Sequence, residues 1–212
     1  MYILLIMETS FLENRDYNSL VNHPILFNIF TCKDCTAKKK EYEILRDDDY
    51  EYPKDIKNLG YIQLSMGKYP IKITTPQMIC PFGFDKRTNQ IMLQFTNYKT
   101  NPEMKAFFDT IETMEMEQMK YIGLDEEDAD LYLSQIRYDK KQRYDPNLIV
   151  KVPFRSNSYD VDIRNKSNTS ISLTVSQLFN FSKVKCDIYI DNIWKYNGKF
   201  VCKWKVDKIL IL

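Results

Sequence analysis

The C-terminal end of the chain contains two strand-like segments around a turn. The segments are Lys183-Val-Lys-Cys-Asp-Ile-Tyr-Ile-Asp-Asn-Ile-Trp194 and Lys199-Phe-Val-Cys-Lys-Trp-Lys-Val206, and Tyr196-Asn-Gly198 lies between them. An Asn-Gly pair between segments of alternating apolar residues is a strong signal of a β-hairpin. The sequence therefore predicts a long C-terminal β-hairpin.

The register of this hairpin depends on which side chains share a face. A three-residue turn pairs Trp194 with Phe200 and Tyr189 with Lys205, which separates apolar from charged side chains. A two-residue Asn-Gly turn instead places Ile190 opposite Lys205 and mixes the two kinds on one face. Because a strand with one buried face has a strongly specified register, we favour the three-residue turn.

Further strand-like segments lie on both sides of a helical insert at residues 102–138. Tyr61–Met66, Pro70–Thr75 and Ile91–Phe95 precede the insert, and Leu148–Phe154 follows it, before the C-terminal hairpin. This order predicts an α+β fold that is mainly β, an OB-like Greek-key barrel with its helix between the third and fourth strands. A generic α+β sandwich is the alternative. We expect residues 60–212 to form this domain and residues 1–59 to be an N-terminal extension with short strands.

The insert is predicted to contain two helices. Asn101 is a favourable N-cap with Pro102 at the first helical position, and Gly123 is a natural C-terminal stop. Asp125 is the predicted cap of a second helix, because acidic residues follow it and apolar residues then recur at helical spacing. The apolar residues of that second helix are Ala129, Tyr132, Leu133 and Ile136.

The composition excludes several classes of site. The five glycines are widely scattered and cannot form a Gly-rich phosphate-binding loop, and the single histidine, His23, cannot form an H-E-x-x-H zinc site. Cys32 and Cys35 have zinc-knuckle spacing, but no second C-x-x-C exists, so free thiols are favoured and a zinc ion is left open. We therefore expect a non-enzymatic protein without a cofactor or a metal ion.

The odd number of cysteines and the absence of a long apolar segment bear on location. Five cysteines at irregular spacing indicate reduced thiols rather than a disulfide framework. No stretch approaches the roughly 20 apolar residues of a membrane span, and no signal peptide is recognisable. These features predict a soluble, intracellular protein.

The net charge of +1 conceals an asymmetry along the chain. Residues 1–136 carry 15 Lys and Arg against 22 Asp and Glu, a net charge of −7, whereas residues 137–212 carry 15 against 7, a net charge of +8. A basic segment of this kind indicates a polyanion-binding surface. The acidic residues are equally consistent with a solvated helix face.

Aromatic residues alternate with Lys and Arg in the basic segment. Single-stranded nucleic acid requires both types, since cations follow its backbone and rings stack on unpaired bases. Trp204 is predicted to be a core residue, while Tyr189, Lys203 and Lys205 are predicted to share an exposed platform. The candidate nucleic-acid contacts are Lys72, Tyr98, Lys99, Lys151, Arg155, Tyr189, Lys203 and Lys205.

Several stretches resemble a viral protein family. They are Gly67-Lys-Tyr-Pro-Ile-Lys-Ile-Thr-Thr-Pro76, Cys80-Pro-Phe-Gly-Phe84, Asn101–Ile111, and the ending with Ile193-Trp194, Gly198-Lys-Phe200 and Trp204-Lys-Val206. Together they resemble the predicted single-stranded DNA-binding proteins of nucleocytoplasmic large DNA viruses, which include an African swine fever virus member with an OB-fold. The similarity extends over roughly residues 60–212.

The resemblance implies a function and a location. It implies a protein that coats exposed single-stranded DNA during viral DNA replication, repair or recombination, in the viral factory of the host cytoplasm or in the virion. RNA binding, self-association and contacts with replication proteins are left open. The alternative from a different class is a virion or assembly protein that binds other proteins and no nucleic acid, which the acidic insert and the low net charge favour.

Overall fold

The computed structural model of the chain describes residues 61–63, 71–167, 173–190, 192–196 and 198–212. Within these ranges it contains one long helix, α1 (Pro102–Tyr121), and short 3-10 turns at Ala129–Leu131 and Val175–Gln177. The strands are β1 (Tyr61–Gln63), β2 (Ile71–Thr74), β3 (Met78–Cys80), β4 (Phe84–Asp85), β5 (Gln90–Gln94), β6 (Ile136–Arg137), β7 (Asn147–Lys151), β8 (Phe154–Arg155), β9 (Ser158–Tyr159), β10 (Asp162–Asn165), β11 (Ser182–Ile190), β12 (Asn192–Tyr196), β13 (Lys199–Cys202) and β14 (Trp204–Ile211).

Five strand positions close into a barrel. β2 and β3 together form the first position, and β5, β7, β11 and β14 form the second to the fifth. Antiparallel pairing joins β3 to β5, β5 to β7, β11 to β14, and β11 back to β2 and β3. Parallel pairing of β7 with β14, with Val150 opposite Trp204, closes the barrel. The fifth position thus lies between the third and the fourth, as in an OB-type Greek-key barrel, and the predicted, mainly β fold class is confirmed.

Alternating apolar side chains fill the barrel, as the two-residue period of a strand requires. Ile71 and Ile73 of β2, Val150 of β7 and Trp204 of β14 are all almost fully buried. The prediction that Trp204 is a core residue is confirmed. The polar residues between them, such as Lys72, lie on the outer face.

The N-terminal part of the barrel differs from the prediction. The described part of the predicted strand Tyr61–Met66, β1, pairs with β12 in a separate three-stranded sheet with β13. Ile91–Phe95 is consequently the second barrel position and not the third. The helix α1 therefore lies between the second and third positions, one position earlier than expected.

Helix α1 forms as its sequence predicts. The side chain of Asn101 accepts hydrogen bonds from the backbone N–H groups of Glu103 and Met104, which would otherwise lack partners. Its apolar side packs on the chain that follows β5, where the ring of Phe108 lies 5.0 Å from that of Phe95. Gly123 adopts a left-handed φ of 76° just beyond the helix.

The predicted second helix is wrong. Asp125 does accept hydrogen bonds from two following backbone N–H groups, but within residues 125–138, all of which the structure describes, the helical residues are limited to the single 3-10 turn Ala129–Leu131. Beyond that turn the chain is extended, because the N–H of Leu133 donates to the carbonyl oxygen of Phe200 and Ile136 pairs with β7. These tertiary hydrogen bonds outweigh the weak local preference for helix.

The C-terminal hairpin is confirmed, but its register at the tip is wrong. Trp194 pairs with Val201 rather than with Phe200, which corresponds to a two-residue turn. Nearer the barrel, Tyr189 pairs with Lys205 as predicted. The two registers differ by one residue, because three residues separate Tyr189 from Ile193 but only two separate Cys202 from Lys205. The change falls where the hairpin passes from the barrel sheet to the three-stranded sheet.

Several predictions lie outside the described residues: the N-terminal extension 1–59, His23, and the pair Cys32 and Cys35. Among the described cysteines, Cys80, Cys186 and Cys202 are free and buried. In the part of the chain that the structure describes, no helix is long and apolar enough to cross a membrane.

Candidate functional site

Four of the predicted contact residues lie side by side across four strands. Lys72 of β2 pairs with Tyr189 of β11, Tyr189 pairs with Lys205 of β14, and Lys205 pairs with Lys151 of β7. We call these four residues the basic row. Since neighbouring strands lie about 4.7–4.9 Å apart, the row is about 14 Å long when measured along the curved surface of the barrel. The barrel topology thus brings together side chains that are distant in sequence.

The basic row lies on the outer face of the barrel. Each of its members is partly exposed, and the residues on either side of each along its strand are buried, as with Ile71 and Ile73 around Lys72. The ring of Tyr189 lies 5.9 Å from the Lys205 Nζ, which is within the range of a cation–π interaction. The row therefore combines cations and an aromatic ring on one surface.

Lys151 is held in place by the turn that precedes β5. Its Nζ donates a hydrogen bond of 2.6 Å to the carbonyl oxygen of Thr88. Partial burial and the nearby charge of Lys203 lower the pKa of Lys151. Both effects disfavour the charged form of Lys151, and an anionic ligand beside its Nζ would offset them.

Lys72 at the other end of the row has an acidic partner. Its Nζ lies 2.5 Å from the Oδ2 of Asp207. Asp207 is the extra residue of a β-bulge, because Ile188 pairs with Val206 while Asp187 pairs with Lys208. The bulge turns an acidic side chain towards Lys72 and neutralises that end of the row.

Two loops border the basic row. The turn between β4 and β5 carries the exposed residues Lys86 and Arg87, and the loop between β11 and β14 carries the exposed Lys203. In OB-folds, these two loops and the face of the second and third strands bind oligonucleotides. Lys86 and Arg87 are absent from the sequence-based candidates. Their adjacent charges in a recognisable turn were the available signal.

Arg155 lies on a separate small hairpin formed by β8 and β9. Its Nε is 3.8 Å from the Oδ2 of Asp160, and both side chains are largely exposed. Between this hairpin and β14 is an open pocket of about 650 Å³, whose lining includes Arg155, Asp162 and Lys208. The structure thus places Arg155 beside the fifth barrel strand but not in the basic row.

Tyr98 and Lys99 lie at the opposite end of β5 from the basic row. Gln90 at the start of β5 pairs with Lys151, whereas Tyr98 and Lys99 follow the end of that strand. The ring of Tyr98 packs on Phe108 of α1 with a centroid distance of 4.6 Å. The structure therefore does not bring these two candidates together with the basic row.

The described residues were compared with the arrangements that hold a metal ion or a reactive thiol. No group of three or more His, Cys, Asp or Glu side chains in the described ranges has the arrangement of a metal site. Burial raises the pKa of the Cys80 thiol to about 11, which keeps it protonated and unreactive.

Similar solved structures come from bacteriophages. The single-stranded DNA-binding protein gp2.5 of bacteriophage T7 is 10% identical, with a TM-score of 0.43, over 66% of this chain and 91% of that one. A C-terminal truncation of the single-stranded DNA-binding protein of bacteriophage Enc34 is 11% identical, with a TM-score of 0.43, over 73% and 84%. The same protein in complex with single-stranded DNA is 12% identical, with a TM-score of 0.39, over 73% and 87%.

These likenesses are too distant to carry an argument about what this chain binds. No protein-family model matches the sequence, and no curated protein matches it either. The assignment of function therefore depends on the basic row and its surroundings.

Proposed function

We propose that this chain is a non-enzymatic protein that binds single-stranded DNA on the outer face of its barrel. The observation that supports the proposal is the basic row, Lys72, Tyr189, Lys205 and Lys151, which crosses four strands between two further basic loops. Cations spaced along a groove follow a nucleic-acid backbone, and an exposed ring among them stacks on an unpaired base.

The electrostatics of the row support an anionic ligand. Lys151 and Lys203 repel each other, and among the described residues neither has a carboxylate partner in an ion pair. A phosphate group between them would replace this repulsion with two favourable interactions. Binding would also release counterions from the DNA, so its affinity should fall as salt rises.

The rings near the row supply surfaces for stacking. Tyr189 lies between Lys72 and Lys205 within the row itself, and Trp194 is exposed on the hairpin that leads to Lys203. Each stacked base is worth about 1–3 kcal/mol by alanine substitution and depends little on base identity. We therefore propose binding with little sequence preference.

The finer role follows from the family that the sequence resembles. We propose that the chain coats exposed single strands during viral DNA replication, repair or recombination, in the viral factory of the host cytoplasm. Binding of RNA, self-association and binding of replication proteins are further interactions to measure with the same protein.

A titration of labelled single-stranded DNA at several salt concentrations tests the proposal. The variant Lys151→Glu/Lys205→Glu reverses two charges in the row, and Lys140→Glu/Lys141→Glu makes the same change on an exposed loop at the opposite end of β7. The slope of log K against log salt is about −0.7 per phosphate contacted, so the row variant should lose about 1.4 from the slope.

The outcomes separate the two classes of function. Weaker binding of the row variant and unchanged binding of the control support the proposal. Absence of binding by the folded wild-type protein at low salt would overturn it and favour the protein-binding alternative. An equal loss in both variants would overturn the placement of the site.

A further inference from the structure

Three phenylalanines are strongly exposed in two loops at the N-terminal end of β11, which is the end away from Tyr189. Phe82, Phe179 and Phe181 expose 64%, 70% and 73% of their surface. Phenylalanine is among the residues most often buried, and clustered exposed apolar side chains mark interaction sites. This phenylalanine cluster, Phe82, Phe179 and Phe181, has no role in the barrel core.

The pairing of β3 with β11 brings the three residues together. Cys80 pairs with Ser182, so the turn after β3 and the loop before β11 lie side by side. Gly83 in that turn approaches the other loop so closely that a Cβ there would lie 2.6 Å from the carbonyl oxygen of Leu178. Leu178 is itself buried in the core, which anchors the loop.

Phe181 is exposed at a conformational cost. Its φ is 62°, in the left-handed region that a bulky side chain rarely adopts. The turn is fixed because both the N–H and the hydroxyl of Ser182 donate to the carbonyl oxygen of Phe179. Strain of this kind persists where the surrounding structure enforces it, and it clusters at functional sites.

Cations connect the phenylalanine cluster with the basic row. Lys183 and Lys185 are exposed on the same outer face of β11 as Tyr189, while the alternate residues, such as Val184, are buried. Lys183 and Tyr189 are six residues apart, which is about 20 Å along a strand. Asp187 lies between them and accepts a hydrogen bond from the hydroxyl of Thr74.

We propose that the phenylalanine cluster is a second contact zone for the same single strand of nucleic acid that the basic row binds. This inference rests on the proposed function and extends it. The strand runs along the outer face of β11, with phosphates near Lys183 and Lys185 and bases stacked on the exposed rings. The two adjacent cations favour a polyanion over an apolar protein segment as the occupant.

The proposal predicts that affinity depends on oligonucleotide length. Binding sites on OB-folds extend over about 4–16 nucleotides. An oligo-dT of about 4 nucleotides should therefore reach one zone, and an oligo-dT of about 16 nucleotides should reach both zones. The basic row alone binds the 4-mer, whereas the 16-mer also reaches the phenylalanine cluster. Loss of one stacking ring should weaken binding of the 16-mer about tenfold and leave the 4-mer unchanged.

The variant Phe181→Gly provides the sharpest test. Glycine adopts a left-handed φ without strain, so this variant should be at least as stable as the wild type while it lacks the ring. Thermal unfolding measures the stability and fluorescence anisotropy measures the affinity. Phe82→Ala/Phe179→Ala is the second variant, and Tyr144→Ala removes an equally exposed ring outside both zones as a control.

The result that supports the inference is a selective loss of 16-mer affinity in both phenylalanine variants but not in the control. Equal affinities of wild type and variants for the 16-mer would overturn it and leave the basic row intact. A wild type that binds neither length would instead overturn the proposed function itself. A loss of self-association in the variants without a loss of DNA affinity would assign the cluster to a protein contact and also overturn the inference.

Discussion

Removal of the Asp207 charge should tighten the DNA binding that we propose for the basic row. The carboxylate of Asp207 lies 2.5 Å from the Lys72 Nζ and forms an ion pair with it. The substitution Asp207→Asn retains the size of the side chain and removes its charge. We expect Lys72 to become available to a phosphate, which adds one contact to the row.

The size of the effect follows from counterion release. One additional phosphate contact on a single strand changes the slope of log K against log salt by about −0.7. At about 0.1 M salt this corresponds to about fivefold tighter binding, and at about 0.2 M to about threefold. The stability should change little, because the ion pair is partly exposed and such pairs contribute about 0–1 kcal/mol at most.

Anisotropy titrations of the same oligonucleotide at four or five salt concentrations provide both the affinity and the slope. The double variant Lys72→Met/Asp207→Asn is the control, since Asp207 is expected to act through Lys72. It should return to about the wild-type slope. A slope of Asp207→Asn equal to that of the wild type, or a gain of equal size in the double variant, would refute this reasoning.

Three further predictions concern the fold. Burial raises the pKa of Glu115, so its contribution to stability is present at low pH and is lost as the pH rises from the unfolded-state value towards the folded one. Thermal unfolding should show that Glu115→Gln becomes more stable relative to the wild type as the pH rises above about 4. Gly83→Ala places a Cβ 2.6 Å from a carbonyl oxygen at a φ of 61°, whereas Gly123→Ala meets no atom within 4 Å at a φ of 76°. Urea unfolding should show that Gly123→Ala lowers the free energy of unfolding by about 1–2 kcal/mol and that Gly83→Ala lowers it further. Burial raises the pKa of the thiols of Cys80 and Cys186, so a thiol reagent should modify them only after unfolding. Mass spectrometry of the native protein after treatment measures this, and modification of either thiol would contradict the prediction.

Much of the fold is predictable because local signals and core patterning agree. Asn101, Pro102 and Gly123 bound helix α1 as their capping preferences indicate, and alternation of apolar residues identifies β5, β7 and the C-terminal hairpin. The prediction fails where a tertiary contact decides. The chain after Asp125 has helical spacing, yet its hydrogen bonds go to β13 and β7.

The hairpin register could not be derived because the hairpin has two registers, one in the barrel sheet and one in the three-stranded sheet. The separation of apolar from charged side chains correctly predicts that Tyr189 pairs with Lys205. The same reasoning applied to the tip of the hairpin predicts a register that is wrong by one residue. A change of register between two sheets has no strong signal in a single sequence, because it depends on the strands with which each part of the hairpin pairs.

The candidate site is predictable in its residue types but not in its extent. Alternation placed Tyr189 and Lys205 on the outer face, but only the closure of β7 on β14 shows that Lys151 lies beside them. Tyr98 illustrates the opposite case, because an aromatic residue next to a lysine in sequence packs on Phe108 in space. Barrel closure is a long-range property that spacing along the chain does not reveal.

The most direct test of the central claim is a crystal structure of the protein with a short oligo-dT. The account predicts phosphate oxygens within about 4 Å of the Nζ atoms of Lys151 and Lys205, with a base against the ring of Tyr189. A strand bound to another surface, for example along α1, with the basic row left open to solvent, would contradict it.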